Sequence, residues 1–280
     1  MGEPRDARLT AEALDLTTTA GAPGKRAVID ALVEHLLGES PLEGRVEDVW
    51  VFHHWVAVRA LRWSLARIPA ANGSTLRPGN TNLASLVGRR VGEVARELWR
   101  SDEPVHRAAG AACLNAAIPL ATPLADGNAM GCFARRARRM KSCFIGHFEH
   151  AAAWRDAGFP VTIVELEPRP GDIHWREAGP ALEQAELVFI TGLTLLNDTF
   201  DDVVYRTPNA LIRVLMGPSV PCTPALFDHG IHVIGAMLVE DPSGLIEYLR
   251  RGGTSSREMT PKHLIRQVNW ASHPTFLQDS

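Results

Sequence analysis

Thr191-Gly192-Leu193-Thr194-Leu195-Leu196-Asn197-Asp198-Thr199 follows an apolar run at 185–190 that reads as a buried strand. A second event of the same kind comes soon after. Residues 210–216 are mostly apolar and end in Gly217-Pro218-Ser219-Val220-Pro221-Cys222. In an open α/β sheet, ligands sit at the carboxyl ends of neighbouring strands. Glycine lets the backbone come close there, and free N–H groups with hydroxyls can hold an anion. These two turns therefore predict a parallel sheet with a ligand-holding rim.

Around them the chain alternates strand and helix. Strands are expected at 142–145, 161–165, 185–190, 210–216 and 231–239. Helices are expected at 149–156, 177–184, 200–205, 243–251 and 261–268, with a single turn of helix at 225–229. Such alternation means βαβ units and a mainly parallel sheet. The first half has a different grammar. Residues 26–37 carry a helical stripe. Residues 46–58 read as two strands joined near His53-His54, and 62–68 as a weaker third strand with alternating sides. Helices follow at 83–87, 91–99 and 104–118, with Asp102 as the expected N-cap of the last. Residues 1–24 read as a polar tail and 70–82 as a loop. Prolines at 119–127 suggest a boundary, giving an α+β domain at 1–122 and an α/β domain at 123–280.

The chain has 280 residues, enough for two domains, and a net charge of −3, which offers no bulk attraction for nucleic acid. The basic cluster Arg135, Arg136, Arg138, Arg139 and Lys141 reads as a solvated helix face. No run is long enough to span a bilayer, and the first residues lack an apolar secretion core. Four scattered cysteines without a C-x-x-C predict buried thiols in a reducing cytoplasm. Association into a homo-oligomer is left open.

The turn Gly146-His147-Phe148 ends the first strand of the second half. One glycine before a bulky pair argues against the G-x-G-x-x-G cradle of a dinucleotide. His147 is the candidate acid/base or ligand, against the alternative of capping the next helix. Glu165 ends the second strand, where an acid accepts ribose hydroxyls in nucleotide-binding folds, which keeps an adenosyl-type cofactor in view. Thr191, Gly192, Thr194, Asn197 and Thr199 supply hydroxyls and an amide, with capping as the alternative for Asn197 and Thr199. Gly217, Pro218, Ser219 and Cys222 form the other loop. The ligand-binding set is thus Gly146, Phe148, Glu165, Thr191, Gly192, Thr194, Asn197, Thr199, Gly217, Pro218, Ser219 and Cys222. His147, His150, Cys222, His229 and His232 are candidate metal donors, but no local cluster has the spacing of a structural zinc site. His53 and His54 would point to opposite sides of a strand. No Gly-x-Ser-x-Gly elbow is present, and a Cys222–His229 pair is outweighed by a buried thiol. Trp50, Trp55 or Trp63 could stack on a flat ligand in a cleft.

The pieces Gly88-Arg89-Arg90-Val91-Gly92-Glu93-Val94, residues 109–116, Ile145-Gly146-His147-Phe148, residues 190–199, Met216-Gly217-Pro218-Ser219-Val220-Pro221 and Val239-Glu240-Asp241-Pro242 resemble a small bacterial and archaeal family. Its members are described as "putative heavy-metal chelation" proteins. The resemblance implies an enolase-N-terminal-like α+β domain followed by a Rossmann-like α/β domain. It also implies binding of a small anionic or metal-chelating ligand in the cleft between them. The alternative is an enzyme acting on an adenosyl-type or amino-acid-like molecule through His147. One departure stands out: Asn197-Asp198-Thr199 replaces the family's Asn-Gly-Thr, so a charge and a Cβ enter that turn and would weaken its hold on an anion.

Overall fold

The computed structural model describes residues 27–38, 44–69, 83–120 and 124–278. The tail expected at 1–24, the loop at 70–82 and part of the boundary at 119–127 lie outside them. The chain enters through helix α1 (Ala27–Gly38) and a three-stranded antiparallel meander, β1 (Asp48–Val51), β2 (Trp55–Arg59) and β3 (Trp63–Arg67). His53 and His54 form the turn between β1 and β2, not strand positions. Side-chain alternation does not apply in a turn, and their rings meet edge to face with centroids 4.2 Å apart.

Helices α2 (Val91–Trp99) and α3 (Pro104–Ala117) follow. Pro104 suits the first turn of α3, where its missing N–H is not needed. Residues 108–117 of α3 are all buried, and their small side chains let the helix lie close against α2 and across β2 and β3. Asp102 is not its N-cap. Glu103 holds that position without a side-chain cap, and Ser101 Oγ accepts from Glu103 N at 3.1 Å.

The second sheet contains β4 (Ala125–Asp126), β5 (Ser142–Ile145), β6 (Val161–Glu165), β7 (Ile173–His174), β8 (Leu187–Thr191), β9 (Ile212–Met216), β10 (Val233–Val239) and β11 (Ile265–Ala271). Between them run α4 (Ala134–Ala137), α5 (Glu149–Asp156), α6 (Gly179–Glu183), α7 (Phe200–Arg206), α8 (Pro242–Arg250) and α9 (Ser256–Met259). The spatial order is β4-β11-β10-β9-β8-β5-β6-β7. From β7 to β10 every neighbour is parallel; β11 runs antiparallel to both β10 and β4. Strand order reverses between β5 and β8, as in doubly wound sheets, whose ligand crevice opens at that reversal.

The helix expected at 261–268 is a correction: the residues form β11. Leu264, Ile265, Val268 and Asn269 are buried at i, i+1, i+4 and i+5, the spacing of a helical face. Pairing decides it, because β11 closes the otherwise open edge of β10 along its whole length. The alternation expected in β3 also fails. Ser64, Leu65 and Ala66 are buried together, since α3 covers one face of the meander and β10 approaches the other.

One apolar cluster runs from Leu32, Val56 and Leu114 to Ile145, Ile190 and Leu215, so both sheets share a core. On the far face of the large sheet, Phe144 stacks on Phe189 at 4.4 Å. A third cluster joins Trp55 and Leu65 to Leu245, Leu249 and Ile265. Trp55 is therefore packing, not a ligand platform: it is 1% exposed, with the Arg67 guanidinium 5.1 Å from its ring centre. Trp50 likewise lies beneath Arg250. In the basic cluster, Arg136 donates to the carbonyls of Thr275, Phe276 and Gln278, and Arg138 lies over Phe159. Among the described residues, no helix is long and apolar enough to cross a membrane.

Candidate functional site

The three glycine turns meet at one edge of the large sheet. β5, β8 and β9 are adjacent and parallel, so Gly146, Gly192 and Gly217 fall beside one another at their carboxyl ends. Gly146 has φ +107°, and a Cβ there would stand 2.9 Å from Thr191 Cγ2. A Cβ on Gly192 would stand 2.6 Å from Val220 Cγ2. Both positions need glycine for close approach.

The turns are not equally open. Ser219 is 2% exposed, and its hydroxyl accepts from Arg67 N at 2.9 Å. Pro218 O lies 3.5 Å from Asn115 Nδ2 on α3. Cys222 is buried beside Arg62; burial pushes its thiol pKa up, and the guanidinium partly offsets this. The cavity left among Arg62, Asn115, Pro218 and Cys222 holds about 10 Å³, the room of one water at most. Gly217, Pro218, Ser219 and Cys222 thus form a sealed contact between β3, α3 and the large sheet, and the expected cleft is closed there.

The hydroxyl-and-amide rim at 191–199 is turned on itself. Thr191 Oγ1 accepts from Leu193 N, and Thr194 Oγ1 donates to Thr191 O at 2.8 Å. The Asn197 amide, with nitrogen placed among acceptors, donates to Leu193 O and Thr194 O at 3.2 Å and to Thr199 Oγ1 at 2.7 Å. Asn197 holds the turn and does not cap α7; Thr199 stands at the N-cap without a side-chain cap. Asp198 has φ +62°, a left-handed conformation that a glycine would adopt without strain. Its carboxylate does not face an anion site. It accepts from Arg107 Nη1 at 2.9 Å, and the same nitrogen donates to Leu196 O at 2.8 Å. Phe148 packs on Phe144 and belongs to the core.

What stays accessible lies over β5, β6 and the near side of β8. His147 Nδ1 is 3.2 Å from Asp172 Oδ2, and Asp172 Oδ1 is 3.1 Å from Arg155 Nη1. The Asp172 side chain is 0% exposed and that of His147 is 15% exposed. A carboxylate on Nδ1 fixes the tautomer with the proton there and leaves Nε2 as the basic nitrogen. Nε2 has no hydrogen-bond partner among the described residues. Glu165 Oε1 accepts from His147 N at 2.5 Å and Oε2 from Leu166 N at 3.2 Å. Burial raises the Glu165 pKa, against the pull of those two N–H groups.

Sequence reading missed Asp172 and Arg155. They lie 25 and 8 residues from His147; the only hint was a Gly171-Asp172 turn after Pro168 and Pro170. A wider hollow of about 280 Å³ lies at the opposite, amino-terminal edge of β5 and β6, among Lys141, Phe159, Thr162 and Gln184. Its polar side chains bond within the chain, Lys141 Nζ donating to Gln184 Oε1 at 2.9 Å and Ser142 Oγ to Met140 O at 3.0 Å, and the carboxyl edge is where such sheets bind ligands.

This topology, with its crevice at the reversal of strand order, defines a class of two-sheet proteins built around an open parallel sheet. Within that class, residues 128–266 match the DUF364 family model, described as "Putative heavy-metal chelation". A segment of 75 residues is 39% identical to an uncharacterized protein of Methanocaldococcus jannaschii, covering 26% of this chain and 29% of that one. The chain thus matches less than a third of that curated relative's length. A DUF364 protein of unknown function from Desulfitobacterium hafniense superposes with a TM-score of 0.71 at 19% identity, over 87% of this chain and 98% of that one. Another, from Pyrococcus horikoshii, gives 0.67 at 16% identity over 89% and 100%. At such identities the likeness is one of fold.

The side chains do not fit a resident heavy-metal ion. Among the described residues, no three His, Cys, Asp or Glu converge on a point. Burial pushes the Cys113 and Cys143 thiols up to about 12, far from the thiolate a soft metal needs. His232 Nδ1 accepts from Arg213 N, and burial pushes its pKa down to about 4. His150 is exposed on α5, and His147 Nδ1 already faces Asp172.

Proposed function

We propose that the chain binds a small polar molecule in the crevice over the carboxyl ends of β5, β6 and β8. A heavy metal, where one is involved, is cargo carried by that molecule and not an ion held by protein side chains. The observation that carries this reading is the pairing of His147 and Glu165 at the carboxyl ends of β5 and β6, beside the point where strand order reverses. The donors at 217–222 are sealed, which moves the site from the expected interdomain cleft to the β5–β6 side. The same proposal takes residues 1–122 as an enolase-N-terminal-like unit and 123–280 as a Rossmann-like unit. Separate sheets on either side of residue 122 support it. Four free thiols support a reducing compartment such as the cytoplasm.

Mass spectrometry of freshly purified, denatured protein, with parallel elemental analysis, tests the reading. The wild type releases one small molecule stoichiometrically. His147→Ala and Glu165→Ala variants with unchanged circular dichroism release about a tenth of that amount or less. Equal release from the variants, or metal recovered without an accompanying molecule, sinks it.

The His147–Asp172 pair favours a second reading, an enzyme in which His147 Nε2 takes or gives a proton. Conversion of the released molecule on incubation with wild-type but not His147→Ala protein separates this from binding alone.

A further inference from the structure

The turn after the first strand of a doubly wound sheet holds phosphate through its backbone N–H groups. Here the first two N–H groups of that turn are taken by the chain's own acceptors. Gly146 N donates to Val164 O at 2.9 Å, within the sheet ladder. His147 N donates to Glu165 Oε1 at 2.5 Å. On the neighbouring strand, Leu193 N is taken by the Thr191 hydroxyl. The titratable groups that face Glu165 are His147 and Asp172, and Asp172 is already matched by Arg155. No lysine or arginine among the described residues pairs with the Glu165 carboxylate. The crevice is therefore lined by acceptors: the remaining lone pairs of Glu165 and the His147 Nε2.

We infer that this crevice selects a ligand presenting hydroxyl or ammonium donors, such as the vicinal diol of an unphosphorylated nucleoside, and that Glu165 rejects phosphate by standing where the phosphate would bind. The inference rests on the crevice being the binding site. It deepens that reading by naming the ligand class and the specificity residue. It also replaces the anionic ligand expected from the sequence, because the N–H groups of Gly146, His147 and Leu193 are engaged and the Glu165 carboxylate stands beside them. The sequence places an acid at the end of the second strand, but not its reach back onto the first turn.

Calorimetric titration with adenosine, S-adenosylmethionine and ADP tests it, in the wild type and in Glu165→Gln. The glutamine keeps an acceptor for His147 N and removes the charge. Adenosine and S-adenosylmethionine should bind the wild type at least about tenfold more tightly than ADP, as expected for a like charge brought within contact range. Glu165→Gln should shrink that gap to about threefold or less, with an unchanged melting profile as the structural control. ADP binding as well as adenosine, or an unchanged gap in the variant, overturns the inference and leaves the binding site standing. If none of the three binds but mass spectrometry identifies a retained molecule, a polyol or amine upholds the inference and a phosphate overturns it. If nothing binds and nothing is retained, the site and the inference fall together.

Discussion

Asp198 poses a question whose sign the structure decides. A non-glycine residue at φ +62° carries left-handed strain of about 1 kcal/mol, so Asp198→Gly should relieve it. Glycine also gives the unfolded chain more freedom, which offsets roughly 0.4–1 kcal/mol of that relief. What remains is the Arg107 contact. Arg107 Nη1 and Asp198 Oδ2 are 2.9 Å apart, with side chains 11% and 22% exposed. A charge-assisted hydrogen bond so shielded contributes about 1.5–3 kcal/mol. Asp198→Gly should therefore destabilise the protein by about 1.5–3 kcal/mol, or roughly 3–6 °C in melting temperature for a chain this long. Arg107→Met should cost at least as much, because it also removes the hydrogen bonds that Arg107 donates to the carbonyls of Ser101 and Leu196. The double variant should show a coupling energy of about 1.5–3 kcal/mol by thermal or urea denaturation. Asp198→Asn, which tolerates the left-handed turn but lacks the charge, should fall between wild type and glycine. An Asp198→Gly protein that melts at or above the wild type would refute the reasoning. So would a coupling below about 0.5 kcal/mol.

Gly146→Ala would place a methyl 2.9 Å from Thr191 Cγ2 at φ +107°, so it should lower stability by about 2–4 kcal/mol, and pairing it with Thr191→Ser should recover part of the loss in the same melting assay. Glu165 has a folded-state pKa raised above 4.5, so the folded protein binds the extra proton and stability falls as pH rises through the raised value. Glu165→Gln removes this dependence, and its stability relative to the wild type should improve between about pH 4 and about pH 7; a constant difference across melts in that range contradicts the burial argument.

Much of the large sheet was legible because its strands are short runs of β-branched or aromatic residues bounded by glycine or proline. Ser142–Ile145, Glu149–Asp156 and Val161–Glu165 fall where periodicity places them. β11 was misread because its buried residues follow helical spacing, and its pairing with β10 overrides that pattern. The candidate site divides in the same way. Gly146 and Gly192 are forced by close approach, so their positions in the sequence point to a real constraint. Thr191, Thr194 and Asn197 look the same in sequence whether they cap a turn or touch a ligand, and here the turn takes their hydrogen bonds. The Asp172–Arg155 support of His147 depends on how the 166–172 loop folds back onto α5, a long-range fact with no local signature.

The sealed contact between the meander and the large sheet bears on how metal chelation could work in this fold. A lid that closes over a metal needs a separable interface with donors on both sides. Here Arg67 N meets Ser219, Arg107 meets Leu196 and Asp198, and one apolar core runs through both sheets. Opening that interface would expose continuous core, so the first unit acts as a fixed wall. The potential donors behind it are thiols held protonated by burial. A soft metal would therefore have to bring its own ligands, and the protein would recognise the outer, donor-bearing surface of that complex. The acceptors that face outward at Glu165 and His147 suit that task, whereas a wall of thiolates and free imidazoles would compete with the chelator for its metal.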